Sequence, residues 1–153
     1  MLIGVLSDTH GLLRPSVLPA LRGVDHILHA GDVGNPEILK ALRALAPVTA
    51  IQGNIDHTGP CDTLPATEAV ELGGKLFYML HDLGDLDLNP ASAQIAAVIS
   101  GHSHRASITW KNNVLYLNPG SVGPRRFSLP ISLALVTVSE TGLHPELLTL
   151  SPA

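Results

Sequence analysis

Apolar residues along the chain fall into short runs, and nearly every run stops at a polar cluster. Residues 2–6 give way to Ser7, Asp8, Thr9, His10 and Gly11, the pattern of a buried strand ending in a loop. Residues 24–29 predict a second strand ending in Ala30, Gly31 and Asp32, and residues 48–51 a third, followed by Gly53, Asn54 and Asp56. Between them lie two helical stretches. One covers residues 15–21, with a proline at its start; the other covers residues 37–45 behind Pro36, with Ile38, Leu39, Leu42 and Leu45 at helical spacing. Strand, polar loop and helix in alternation predict a parallel sheet whose loops gather at its carboxyl edge, where ligands of such sheets bind.

The second half has another texture. Residues 68–72 and 75–80 flank Gly73 and Gly74, a hairpin signal, and the hairpin ends at His81. Residues 91–97 predict a short helix after Pro90, and residues 97–100 a buried strand that delivers Gly101, His102, Ser103 and His104. Residues 108–110 and 114–117 flank a turn at Lys111, Asn112 and Asn113, and residues 131–138 and 143–150 predict two more strands. No linker or low-complexity stretch separates the halves, so one domain spanning 1–153 is expected, its first half largely parallel and its second mixed.

Composition narrows the function classes. The single cysteine, Cys61, rules out an internal disulfide framework, the first residues lack the basic start of a secretory signal, and no apolar run approaches the length of a membrane span. A cytoplasmic protein without membrane contact is the expectation. Nine Lys and Arg against thirteen Asp and Glu give a formal charge of −4, with Arg125 and Arg126 the only basic pair, so no strong nucleic-acid surface is expected. The eight histidines nearly equal all the Lys and Arg together, and they call for a role.

Collected in order, the polar strand ends are Asp8 with His10, Asp32, Asn54 with Asp56, His81, and His102 with His104. Residues one apart on an extended segment point to the same side, so each such pair is expected to bind one ligand together. Four imidazoles, two carboxylates and one amide oxygen form a set of intermediate softness that suits Mn, Fe, Co, Ni or Zn better than Ca. A lone histidine is as often a satisfied core residue as a ligand, and the metal reading gains its weight only from the set.

Those clusters resemble, in order, the motifs of the calcineurin-like metallophosphoesterase superfamily, in particular its small prokaryotic phosphodiesterase branch. D-x-H is similar to Asp8, Thr9, His10; G-D to Gly31, Asp32; G-N-x-D to Gly53, Asn54, Ile55, Asp56; G-H-x-H to Gly101, His102, Ser103, His104; and the branch's N-P-G-S loop to Asn118, Pro119, Gly120, Ser121. The resemblance implies an α/β/β/α two-sheet sandwich and two divalent cations, manganese being the first expectation. It implies one cation among Asp8, His10, Asp32 and His104 and the other among Asp32, Asn54, His81 and His102, bridged by Asp32. It further implies a metal-dependent hydrolase that cleaves phosphodiesters, with phosphomonoesters as a second class, by a metal-bridging hydroxide on a small phosphate-ester substrate. Asp56, Asn118 and Ser121 are expected to support the ligands by hydrogen bonds or to touch substrate.

Two departures bear on mechanism. Ile55 stands where many relatives place a proton-donating histidine, and Asp82 follows His81 where glycine is usual. The branch also includes a retromer scaffold subunit, so a non-catalytic metal-binding or protein-interaction module of the same fold is the alternative. Other patterns fail on spacing. Asp85, Asp87 and Asn89 open like a calcium loop, but Pro90 stands where that loop needs glycine; Lys75 and Ser121 lack the surround of a P-loop or a nucleophile elbow. Cys61, His26, His29, His57 and His144 are read as structural or surface residues, His29 with a supporting role behind Asp32 as the alternative, and Arg125 and Arg126 as a solvated turn, with a contact to substrate phosphate as the alternative.

Overall fold

The computed structural model describes residues 1–126 and 128–151. Among these residues ten strands form two five-stranded sheets. In the first, β1 (Leu2–Leu6), β2 (His26–His29) and β3 (Val48–Ala50) run parallel, and the late strands β9 (Ile131–Ser139) and β10 (Gly142–Leu150) add antiparallel, in the order β10-β9-β1-β2-β3. The second holds β4 (Thr67–Leu72), β5 (Lys75–Leu80), β6 (Ala97–Ile99), β7 (Ser107–Lys111) and β8 (Val114–Asn118) in the order β4-β5-β6-β8-β7; β5, β6 and β8 are parallel.

Side-chain alternation explains the layering. On β1, Ile3 and Val5 face the second sheet and join Phe77, Met79, Ile99 and Leu117 in the core between sheets, whereas Leu2 and Leu6 face the helices. Helix α2 (Pro36–Arg43) turns Ile38, Leu39 and Leu42 to that side; the Asn35 side chain caps it by accepting the Glu37 N–H at 3.0 Å, and Lys40 and Arg43 sit in its last turn. The short helix α1 (Val17–Ala20) covers the same face through Val17 and Leu21.

The outer face of the second sheet carries a smaller cluster of Leu80, Ile95, Val98 and Val114, joined by Leu86 and Leu88 from the segment after β5. That segment contains a 3₁₀ turn, Leu83–Asp85, and no α-helix among the described residues. The helix expected over residues 91–97 is instead a series of turns: Asn89 and Pro90 carbonyls accept the Ala93 and Ile95 N–H groups, and Gln94 adopts φ +59°. Six or seven residues are too few to sustain a helix when a left-handed residue interrupts them. The β7–β8 hairpin turns at Asn112 and Asn113, both at positive φ, the geometry of a tight two-residue hairpin turn. No helix among the described residues is long and apolar enough to cross a membrane.

Candidate metal centre

All the candidate ligands lie just beyond the carboxyl ends of β1, β2, β3, β5 and β6. The loops after β1 and β2 are laced together, with Asp8, His10 and Gly11 N–H groups donating to the Gly31, Asp32 and Val33 carbonyls at 3.0, 2.8 and 2.9 Å. Gly101 N–H donates to the His81 carbonyl, which joins the loops after β5 and β6.

Each carboxylate has one oxygen tied to the protein and presents the other. Asp8 Oδ2 accepts the Ser7 hydroxyl at 2.7 Å and the His102 N–H at 3.2 Å; Asp32 Oδ1 accepts the Ile55 N–H at 3.0 Å. The free Asp8 Oδ1 lies 3.6, 3.7 and 3.5 Å from the Nε2 atoms of His10, His81 and His104. Asp32 Oδ2 lies 3.4 Å from His10 Nε2 and 3.2 Å from His81 Nε2. Asp8 Oδ1, His10 Nε2 and His81 Nε2 are buried without a hydrogen-bond partner, as is His104 Nδ1. Buried polar atoms that converge yet bond to nothing are costly unless a ligand satisfies them, and a divalent cation fits this donor set. Asp8, His10 and His104 form one potential cation group, and Asp8, Asp32 and His81 a second.

The electrostatics follow from burial and neighbours. Burial by itself would raise the Asp8 pKa, but His10, His104, Ser7 and the charge of His81 hold the carboxyl well below the usual range. Asp32 is likewise depressed, its burial outweighed by His81 and the Ile55 N–H. For His81, burial pulls downward, and Asp32, the Ala30 carbonyl and Asp8 more than compensate, pushing it up to about 9 when no cation is present. The Nδ1–H of His81 donates to the Ala30 carbonyl at 2.7 Å, which fixes the ring and turns Nε2 inward. His29 behaves oppositely: full burial pulls it down to about 4. Its Nδ1 accepts the Gly31 N–H at 3.2 Å, so the neutral ring carries its proton on Nε2 and donates to Thr9 Oγ1, which in turn donates to the Val33 carbonyl at 2.8 Å.

The ligand pairs do not come from extended alternation. Asp8, His10, Asp32, His102 and His104 have φ of +60°, +48°, +54°, +71° and +62°, the left-handed region that non-glycine residues seldom occupy. Tight reversals at the strand ends therefore bring Asp8 and His10 together. Asp82, by contrast, sits at an ordinary φ of −109° and caps the following turn, so replacing the family's glycine introduces no strain there.

The structure places the remaining candidates in two groups. Asn54 and His102 lie at the rim: Asn54 lines a cavity beside His81, and the His102 ring packs edge-on against His81 with centroids 5.3 Å apart. Asp56, Asn118 and Ser121 are buried fasteners. The Asp56 carboxylate accepts the N–H groups of Val33, Gly34 and Gly53 at 3.0, 3.0 and 2.9 Å, holding the loop after β2 to the loop after β3. Asn118 donates to the Gly101 carbonyl and Ser103 Oγ, and Ser121 Oγ donates to the Asp8 carbonyl at 3.1 Å. Gly53 must be glycine, because a Cβ there would collide with the backbone and carboxylate of Asp32.

Two flanks extend beyond the residues expected from the sequence to form the site. Arg125 and Arg126 line a crevice with His104 and Ser121, so the basic pair borders the centre. On the other side, Asp82, Asp85, Asp87 and His57 line the cavity that also contains His81. The only sequence signal for the second flank is its position directly after a ligand-bearing strand.

The chain matches the calcineurin-like phosphoesterase superfamily domain over residues 1–141. A probable metallophosphoesterase from Methanothermobacter thermautotrophicus is 37% identical over 147 residues, covering 88% of this chain and 85% of that protein. Among solved structures, a novel archaeal phosphodiesterase superposes with a TM-score of 0.79 at 23% identity, covering 97% of this chain and 100% of that one. Wild-type Vps29 from Entamoeba histolytica, complexed with zinc, superposes with a TM-score of 0.72 at 21% identity, covering 97% and 99%. These two likenesses establish the fold, a two-sheet α/β sandwich as the sequence predicts. The long sequence match and the relative 37% identical over 147 residues establish more: the chain belongs to the calcineurin-like phosphoesterase superfamily.

Proposed function

We propose that the protein is a metal-dependent phosphodiesterase, with phosphomonoesters as a second substrate class. The observation that supports this reading is the pair of buried carboxylates, each anchored through one oxygen and turning the other toward unpartnered imidazole nitrogens. Asp8, His10, Asp32 and His104 would hold one cation, and Asp32, Asn54, His81 and His102 the other; Asp8 Oδ1 is also close to His81. When bound, two divalent cations supply positive charge for phosphoryl oxygens and a water that ionises near neutral pH.

The chain's own groups set the rest. The Ala30 carbonyl and the loop lacing fix His81 and Asp32 before substrate arrives, so no reorganisation is needed at the moment of reaction. Ile55, 44% exposed, offers no proton to a departing alcohol, and His57, at the end of the same 3₁₀ turn (Asn54–Asp56) and lining the cavity, is the imidazole available to do so.

Protein loaded with manganese, cobalt or zinc is expected to hydrolyse a bis-aryl phosphodiester. Asp32→Ala should lose at least one equivalent of metal together with that activity. A sample of verified metal content that turns over no phosphodiester with any of these ions overturns the reading. The second reading, a protein-interaction module, draws on strand β7, whose residues are all exposed, Trp110 by 50%; it predicts metal binding without turnover.

A further inference from the structure

The cavity beside His81 has a volume of about 290 Å³, near the lower end of pockets that hold small molecules, roughly 300–1,000 Å³. It shares Asn54 and His81 with the candidate centre, so whatever fills it is attached to, or adjacent to, the phosphoryl group. Among the described residues three carboxylates line it, and no lysine or arginine does. Asp82 is partly engaged, capping Gly84 through Oδ1 and lying 3.8 Å from His102 Nε2 through Oδ2. The carboxylates of Asp85 and Asp87 have no hydrogen bond or ion pair among the described residues, and the Asp85 N–H donates to the Asp82 carbonyl at 3.0 Å.

One further observation bears on what the cavity would take. Gln52, another lining residue, gives its amide N–H to the Leu64 carbonyl at 2.7 Å, leaving Oε1 buried and unpartnered. Tyr78 adds an aromatic ring to the wall, a surface that attracts a cation over its face. The flank across the centre has the opposite sign, because Arg125 and Arg126 line the crevice beside His104.

Resting on the phosphodiesterase reading, we infer that this cavity is the subsite for one alcohol arm of the diester and that it selects an alcohol bearing an ammonium group. A second anionic group there would face three carboxylates, and an uncharged alkyl arm would leave Gln52 Oε1 without a partner and gain nothing from the exposed Asp85 and Asp87. An amino alcohol supplies N–H donors to Gln52 and charge to Asp85 and Asp87. Hydrolysis breaks the phosphorus–oxygen bond to that arm; water gives its hydroxyl to phosphorus and a proton accompanies the departing amino alcohol.

The test uses full-length, metal-loaded protein with three methyl phosphodiesters whose second arm is 2-aminoethyl, n-propyl or 2-carboxyethyl, following release of methyl phosphate by phosphorus NMR. Because the three arms differ in intrinsic reactivity, the quantity read is the ratio of kcat/KM for the aminoethyl and propyl diesters, compared between the native protein and Asp85→Asn/Asp87→Asn. Removing the two exposed charges is expected to lower that ratio about three- to tenfold, as partly solvated ion pairs do. The carboxyethyl diester should be the poorest substrate of the native protein and improve in the variant. A ratio unchanged by the double substitution, with a bis-aryl diester still cleaved by the native protein, overturns the subsite assignment alone. No cleavage of the bis-aryl diester by the native protein removes the phosphodiesterase reading and the subsite with it. The single substitutions carry the same comparison should the double variant misfold.

Discussion

Asp56 is the most informative residue to remove, because it is 1% exposed and its carboxylate accepts three backbone N–H groups from two different loops. In Asp56→Ala those donors lose their acceptor. Each buried, unsatisfied donor costs about 1–3 kcal/mol, and water reaching the half-buried Gly34 N–H offsets part of this, so the expected loss is roughly 3–6 kcal/mol. For a chain of this length about 1 kcal/mol shifts Tm by 2–4 °C, which puts the variant on the order of 10–20 °C below the native protein. Asp56→Asn keeps one acceptor oxygen but loses the charge that strengthens all three bonds, and should fall between, at about 2–3 kcal/mol. Thermal and urea unfolding of chelator-treated protein measure both. Metal affinity should drop as well, since Val33 and Gly34 directly follow Asp32 and Gly53 precedes Asn54. A Tm for Asp56→Ala within about 3 °C of native would refute the reasoning, because it would mean that the two loops hold together without their shared acceptor.

His29 makes stability fall in mild acid: buried and neutral in the fold with a pKa near 4, it has the ordinary 6.5 when unfolded, so its contribution is complete above pH 6.5 and lost as pH drops toward 4. The loss amounts to about 3 kcal/mol, and a urea midpoint that declines equally from pH 7.5 to 5 in His29→Gln would contradict it. Chelated protein should release a proton on metal uptake below pH 9, because His81 must deprotonate to offer Nε2; calorimetry in buffers of different ionisation enthalpy reads this, and zero proton release at pH 7 would exclude His81 as a ligand. Ile55→His occupies an exposed position, so stability should change by less than about 0.5 kcal/mol, while turnover of diesters with alkyl leaving groups rises roughly tenfold or more; equal gains for aryl and alkyl leaving groups would argue against proton donation there.

Much of this site was legible because polar residues at the ends of apolar runs land at one edge of a sheet. That rule places Asp8, Asp32, Asn54, His81 and His102 correctly along the chain without any knowledge of strand order. What it misses is the means of convergence: Asp8, His10 and His104 meet through left-handed backbone at each loop, and Asp and His residues carry no sequence mark that distinguishes this from extended alternation. The acidic flank escaped for a related reason. In sequence Asp85 and Asp87 stand out only as the opening of a calcium loop that Pro90 rules out, and only the packing of Leu86 and Leu88 onto the outer sheet face turns that segment toward His81. The pairing of β1 with β9 is equally silent, since register between strands so distant in sequence depends on which faces both can bury.

That last pairing carries a temporal consequence. Leu2 aligns with Thr137, and the Asp8 carbonyl receives its hydroxyl donor from Ser121, so the Asp8 motif is completed by a residue made 113 positions later. Closing such long loops is slow and entropically demanding. A nascent chain halted before residue 121 would already carry most of the imidazoles but lack the clasp on the Asp8 carbonyl, so the loop after β1 would gain that tie only once Ser121 has emerged.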